Sequence, residues 1–158
     1  MYRGKSLIVL FIFISLITFS QNKPKDKSME ENKLKGRVTG IGGIFFKSEN
    51  PDKTKEWYYK NLGLTPNDYG SMFEFIESDS KKTAYLQWSP FNKSTDYFKP
   101  SEKEFMINYR VVNIEALVDE LKANGVTVVD SIETYEYGKF VHVMDPEGNK
   151  IELWEPID

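Results

Sequence analysis

Apolar and polar residues fall along the chain in blocks, and the period within each block indicates an element. The stretch Val38 to Phe46 is largely apolar and reads as a strand, after which Asn50 and Pro51 supply a helix cap and a first-turn residue. A short helix through Trp57, Tyr58 and Leu62 then ends at Gly63. Phe105 to Val112 reads as a second strand. With Asn113 as its cap, the helix that follows places Ile114, Leu117, Val118 and Leu121 at i, i+3, i+4 and i+7, and it ends at Gly125. Each helix is followed by a strand pair. In the first, Phe73 to Glu77 and Thr83 to Ser89 flank a polar turn through Ser80 and Lys81. In the second, Phe140 to Met144 and Lys150 to Glu155 flank Asp145-Pro146-Glu147-Gly148-Asn149, with proline early and glycine where a short hairpin loop needs a left-handed residue.

The order of events is the same twice, so the pattern predicts an α+β domain built from two βαβββ modules. Trp88-Ser89-Pro90 at the end of the first unit is matched by Trp154-Glu155-Pro156 sixty-six residues later, and Gly63 and Gly125 are sixty-two apart. Loop differences account for such a drift. On this reading module one is 36–90, the linker 91–103 and module two 104–156, within a domain spanning 36–158.

The N-terminal pattern is of another kind. Arg3 and Lys5 precede an apolar run of thirteen residues, Leu7 to Phe19, broken only by Ser15 and Thr18 and followed by Ser20. A basic start, a short apolar stretch and small residues before a cut site are the marks of a signal peptide, here 1–20. A permanent bilayer span needs about 17 to 25 apolar residues, so membrane attachment is expected only if this segment stays uncleaved. Export to the periplasm or the exterior follows. Residues 21–35 are almost wholly polar and predict a disordered tether.

Composition adds bounds on function. The 158 residues, 40% hydrophobic and 28% charged, suit one domain with its own core. The net charge of −3 becomes −5 once Arg3 and Lys5 are removed, and the lysines are interleaved with acids. Nucleic acid is therefore not an expected partner. There is no cysteine, so the domain relies on its core and a lipid-modified N-terminus has no attachment site.

Three runs carry a family resemblance: Gly40-Ile41-Gly42-Gly43-Ile44-Phe45-Phe46, then Trp57-Tyr58 with Leu62-Gly63-Leu64, and Asp145-Pro146-Glu147-Gly148-Asn149-Lys150-Ile151-Glu152-Leu153. Together they resemble the vicinal-oxygen-chelate superfamily of glyoxalases, bleomycin-resistance proteins and extradiol dioxygenases. The resemblance implies that the two modules curl into a partly open barrel of curved sheet with the ligand cleft inside. It also leaves a homodimer open.

Strand parity then distributes the side chains. Ile44, Phe46, Ile107, Tyr109, Val111, Ile151 and Leu153 are expected on the helix side. Phe45, Met106, Asn108, Arg110, Glu152 and Trp154 are expected in the cleft, with Leu86 and Trp88 by internal symmetry and His142 from the neighbouring strand. Metal-dependent members of the superfamily hold a divalent ion with one inward residue from each of four strands. The resemblance places those positions at Gly43, Leu86, Met106 and Glu152, and only Glu152 carries a suitable donor. No metal or other cofactor is expected.

The expected site is thus a small polar set in an aromatic frame. Glu152 and His142 are the candidate proton carriers, and Phe45, Trp88, Asn108, Arg110 and Trp154 the candidate ligand contacts. Burial would raise the Glu152 pKa and Arg110 would lower it. A bland alternative is a structural Glu152–Arg110 pair and a structural His142. Tyr135, Tyr137, Phe91, Tyr97 and Phe98 could form a lid or pack under loops. Two functions follow: a metal-free binder of a small organic molecule, or a lyase or isomerase of the glyoxalase type that moves a proton with Glu152.

Overall fold

The computed structural model describes residues 35–78 and 80–157. The predicted signal peptide, 1–20, and all but the last residue of the predicted tether lie outside the described residues. Eight strands and two helices follow in order: β1 (Arg37–Ser48), α1 (Pro51–Leu62), β2 (Pro66–Asn67), β3 (Gly70–Ile76), β4 (Thr83–Asn92), β5 (Phe105–Val112), α2 (Ile114–Ala123), β6 (Glu133–Tyr135), β7 (Gly138–Met144) and β8 (Lys150–Glu155). The strands make one open curved sheet in the order β2-β3-β4-β1-β5-β8-β7-β6. The fold is α+β, with the βαβββ plan present twice. The two-residue β2 and three-residue β6 are too short to leave a periodic signal in the sequence.

Pairing at the centre of the sheet sets every side-chain direction in the site. β1 and β5 run antiparallel and join the modules. Within each module the second, inner strand of the hairpin runs parallel to the first strand, with Gly43 opposite Gln87 and Asn108 opposite Glu152. Both matches are offset by sixty-five residues between modules. The tryptophan-proline likeness gives sixty-six, and a one-residue slip sends a side chain to the opposite face. Trp88 is therefore on the helix side, where it packs on Tyr58 of α1 and Phe46 of β1 at ring-centroid distances of 4.5 and 5.2 Å. It corresponds to Leu153, not to Trp154.

The helices are started by different means. Asn50 caps α1 as expected: its side chain accepts from the Lys53 N–H at 3.0 Å, and Gly63 ends the helix in the left-handed conformation at φ 73°. Asn113 does not cap α2. It is itself left-handed, at φ 55°, and the Glu155 carboxylate accepts from the N–H groups of Asn113 and Ile114. A negative group from β8 thus meets the positive end of the α2 dipole.

Two clusters hold the domain. Val111, Ile114, Val118, Val141, Val143 and Leu153 are buried between α2 and the convex face of the module-two sheet. Phe45, Phe98 and Met106 form the second cluster, with Phe91 packed against it. Met106 and Phe98 are fully buried there, so Met106 is core and not a cleft residue, and Phe98 is core and not a lid.

Candidate functional site

On the other face of the sheet lies a cavity of about 650 Å³. Gly42 and Phe45 from β1, Gln87, Ser89 and Phe91 from β4, Asn108 from β5, Phe140 and His142 from β7, and Glu152 and Trp154 from β8 form its floor and walls. Tyr69, Tyr97 and the run Glu133, Tyr135, Glu136, Tyr137 complete it. Half of these sixteen lining residues are aromatic, so flat apolar surface surrounds a few polar groups.

Glu152 is the centre of those polar groups and is 3% exposed. Asn108 Nδ2 donates to its Oε1 at 2.6 Å, while Tyr97 donates its hydroxyl proton to Oε2. His142 Nε2 is 3.0 Å from the same Oε2. On the far side of the imidazole, Nδ1 is 2.6 Å from Asp130 Oδ2, and the His142 backbone N–H donates to Asp130 Oδ1 at 2.8 Å. A neutral imidazole has one N–H and here faces a carboxylate oxygen at each nitrogen. A neutral ring therefore donates to either Asp130 or Glu152, and not to both at once.

Burial alone would push the Glu152 carboxyl upward, and it is the largest single influence on that group. The hydrogen bonds from His142, Tyr97 and Asn108, with the charge of His142, together outweigh it and hold the carboxyl below the ordinary glutamate range. Tyr97 moves the opposite way. Burial first, then the charge and hydrogen bond of Glu152, raise its phenol far above the usual value, so it stays a proton donor.

The structure thus brings Glu152, His142, Asn108, Phe45 and Trp154 to one cavity, and it separates two residues from them. Trp88 is under α1, for the register reason given above. Arg110 is on the cleft side of β5, but its guanidinium lies over the Trp154 ring at 4.9 Å and faces Glu77 at 3.8 Å. The expected Glu152–Arg110 pair is replaced by the contacts with His142, Tyr97 and Asn108. Trp154 is fixed further by stacking on Phe140 at 5.9 Å and by donating Nε1–H to the Tyr137 carbonyl at 3.0 Å.

Sequence reasoning missed Asp130, Gln87 and the role of Tyr97. Gln87 stands opposite Gly43 through the parallel pairing of β1 with β4, a register that the β3–β4 hairpin does not reveal. Asp130 follows the isolated bridge at Val128 and reaches His142 from an irregular segment that no period marks.

The model of the Glyoxalase/Bleomycin resistance protein/Dioxygenase superfamily matches residues 40–153. The chain belongs to that superfamily. No curated protein matches the chain. Among solved structures, a variant of Streptomyces coelicolor methylmalonyl-CoA epimerase in complex with 2-nitronate-propionyl-CoA is similar at 16% identity and a TM-score of 0.57, covering 77% of this chain and 100% of that one. Methylmalonyl-CoA epimerase from Mycobacterium tuberculosis is similar at 19% identity and a TM-score of 0.49, covering 77% of this chain and 90% of that one. At such identities the likeness shows the fold alone, and the Streptomyces structure carries that statement.

Membership raises the question of the superfamily metal. The inward positions of the four central strands are Gly43, Gln87, Asn108 and Glu152, a correction of the expected Gly43, Leu86, Met106 and Glu152. They do not fit a divalent ion. Gly43 has no side-chain donor atom, Asn108 turns its NH₂ group toward Glu152, and the Glu152 oxygens already serve three partners. Among the described residues, no group of three or more His, Cys, Asp or Glu side chains is placed to share an ion.

Proposed function

We propose that this protein binds a small organic molecule in the aromatic cavity above Glu152, without the superfamily metal and after export. The observation that carries the reading is the state of Glu152. Its carboxylate is fixed by three partners and held below its ordinary pKa, so it is a weak base at neutral pH and a strong, preorganised acceptor. Such a group orients a ligand better than it removes a proton from one. The mismatch of the four inward positions with a divalent ion supports the metal-free part, and the basic and apolar pattern of residues 1–20 supports export.

A second reading has its own support. The chain from Asp130 through His142 to Glu152 gives a proton a route between the cavity floor and an outer carboxylate, which an isomerase or lyase could use. Methylmalonyl-CoA epimerases share the fold, and this reading would make the chain an isomerase of that general kind.

The test is a ligand-library thermal-shift screen on the purified protein, followed by Glu152→Gln on each hit. The binder reading expects hits that the parent protein does not convert. Turnover in the parent that disappears in the variant while binding persists would establish the isomerase instead. One divalent ion per chain in elemental analysis would overturn the metal-free reading.

A further inference from the structure

Charge in and around the cavity is one-sided, and this narrows the ligand. Glu133, Glu136, Glu152 and His142 are its ionisable carboxyl and imidazole groups, and no lysine or arginine lines it. Lys150 is buried behind Tyr97, with Nζ 2.7 Å from the Tyr97 carbonyl and 5.2 Å from its ring, and Arg110 lies behind Trp154, its guanidinium 4.9 Å from that ring and facing Glu77 at 3.8 Å. Even with Lys150, Arg110 and His142 all charged, the carboxylates of Glu77, Asp130, Glu133, Glu136 and Glu152 outnumber the cations by five to three. An anionic ligand would meet this field with no lining lysine or arginine to pair with. A neutral ligand would cover the Glu133 and Glu136 carboxylates without supplying a partner.

We infer, resting on the binding reading above, that the ligand is an organic cation: a protonated amine or amidine on a flat body. Two independent features meet in that class. Tyr135 and Tyr137 stack on each other at 5.5 Å and stand exposed beside Glu133 and Glu136, while Tyr69, 77% exposed, joins the same cavity from module one. Aromatic faces next to carboxylates attract a cation by both their quadrupole and the neighbouring charge. Tyr135 donates to Glu133 at 2.6 Å, which keeps that carboxylate at the ring edge. Finally, Asn108 is 2% exposed and lies on the cavity floor beside Gly42, and its Oδ1 has no hydrogen-bond donor. That acceptor lacks a donor, which an N–H-bearing cation brings, while the neighbouring Arg110 Nε, the other buried side-chain atom without a hydrogen bond among the described residues, faces the Glu77 carboxylate.

Three probes of one shape test this: naphthalen-2-ylmethylammonium, naphthalen-2-ylmethanol and 2-naphthoate, titrated calorimetrically into the intact protein and into a Glu133→Gln/Glu136→Gln double variant. Both glutamates are exposed, so the variant keeps its fold, and circular dichroism checks this. The ammonium compound is expected to bind about tenfold tighter than the alcohol, with the carboxylate weakest. The double variant is expected to lose about fivefold for the ammonium compound while the alcohol changes by less than about twofold. Equal binding of cation and alcohol, preference for 2-naphthoate, or indifference of the cation to the double substitution would overturn the cation inference and leave cavity binding standing. If none of the three probes binds, the cavity-binding reading falls together with the inference.

Discussion

The two modules share a backbone plan and divide the work unequally. Module two encloses the larger core: Ile114 and Val118 of α2 are buried against Val111, Val141, Val143 and Leu153. Module one has no such layer, and α1 has no buried residue at all. Its contacts with the sheet include the half-buried Tyr58 on Trp88 and the Thr54–Ser48 hydroxyl hydrogen bond. The polar centre is as lopsided. Asn108, Asp130, His142 and Glu152 all belong to module two, whereas module one contributes Gly42, Phe45, Tyr69, Gln87 and Ser89 to the cavity. A repeat conserves direction and pairing, which the backbone dictates, more readily than it conserves which half is packed and which half holds charge. Acid-sensitive groups follow the same division: Glu115, Asp145 and Glu152 are carboxyls held below their ordinary range, all in module two.

The sharpest way to break this comparison is through the core. Ile114→Ala should cost about 3 to 4 kcal/mol in urea unfolding, because it opens a cavity under α2 that the rigid sheet cannot fill. A loss below about 1 kcal/mol would show that module two is not the main source of stability. Next comes Glu152→Gln, expected to cost about 2 kcal/mol near neutral pH as the charge-assisted bonds to Tyr97, His142 and Asn108 weaken. The sign of its pH dependence is fixed. A carboxyl with a lowered folded pKa stabilises above its unfolded value of 4.5 and loses that contribution as pH falls through the lower folded value. The parent should therefore lose stability in that acid window more steeply than the variant, and parallel profiles would mean that Glu152 is not held as an anion.

Gly42→Ala examines what module one gives to the site. A Cβ there would lie 2.2 Å from Asn108 Oδ1, 2.8 Å from Trp154 Cε3 and 3.0 Å from Arg110 Cγ. None of these can move without disturbing Glu152 or the ring that stacks on Phe140. We expect about 1 to 2 kcal/mol of destabilisation and weaker ligand binding. A fully stable variant with unchanged binding would mean that the glycine's missing side chain is not what admits Asn108 and Trp154.

What the sequence disclosed, and what it withheld, falls along a physical line. Periodicity found both helices, all six longer strands to within three residues and the duplication, because burial on one face leaves a repeating trace. It extended β4 too little, to Ser89 where the strand runs to Asn92. Parity found Glu152, Asn108 and Phe45 for the same reason. It failed for Trp88, where a short motif likeness displaced the register by one residue. Parity also could not show where a long side chain ends, so Arg110 was on the expected side of β5 with its charge directed at Glu77 and Trp154. Tyr97 and Asp130 lie on segments with no period. Their part in the site comes from tertiary placement, as does the α2 cap, where Glu155 from another strand replaces the adjacent Asn113.

That difference in capping gives a smaller pair of measurements. Asn50→Ala removes a local cap from α1 and Glu155→Ala a distant one from α2, and each should cost about 1 kcal/mol. Their responses to salt should differ. Asn50 acts through a neutral hydrogen bond, whereas Glu155 acts through a charge at the helix dipole, so added salt should shrink the Glu155 effect and leave the Asn50 effect in place. Equal salt dependence would make the two helix starts physically alike despite their separate origins.

The smallest effect is also the most direct check of the lopsided core. Trp57 and Leu62 of α1 are apolar by type but 55% and 59% exposed, so truncating them removes little surface that folding takes out of water. Trp57→Ala and Leu62→Ala should each change unfolding stability by no more than about 0.5 kcal/mol, against several kcal/mol for Ile114→Ala on the equivalent helix. Helical propensity works in the same direction, since alanine is at least as favourable as either residue within a helix. If either substitution instead cost about 2 kcal/mol, and the cost grew with protein concentration, the exposed face of α1 would be buried in solution by a second copy of the chain. Module one would then have its core at an interface, and the inequality between the modules would belong to the isolated chain alone.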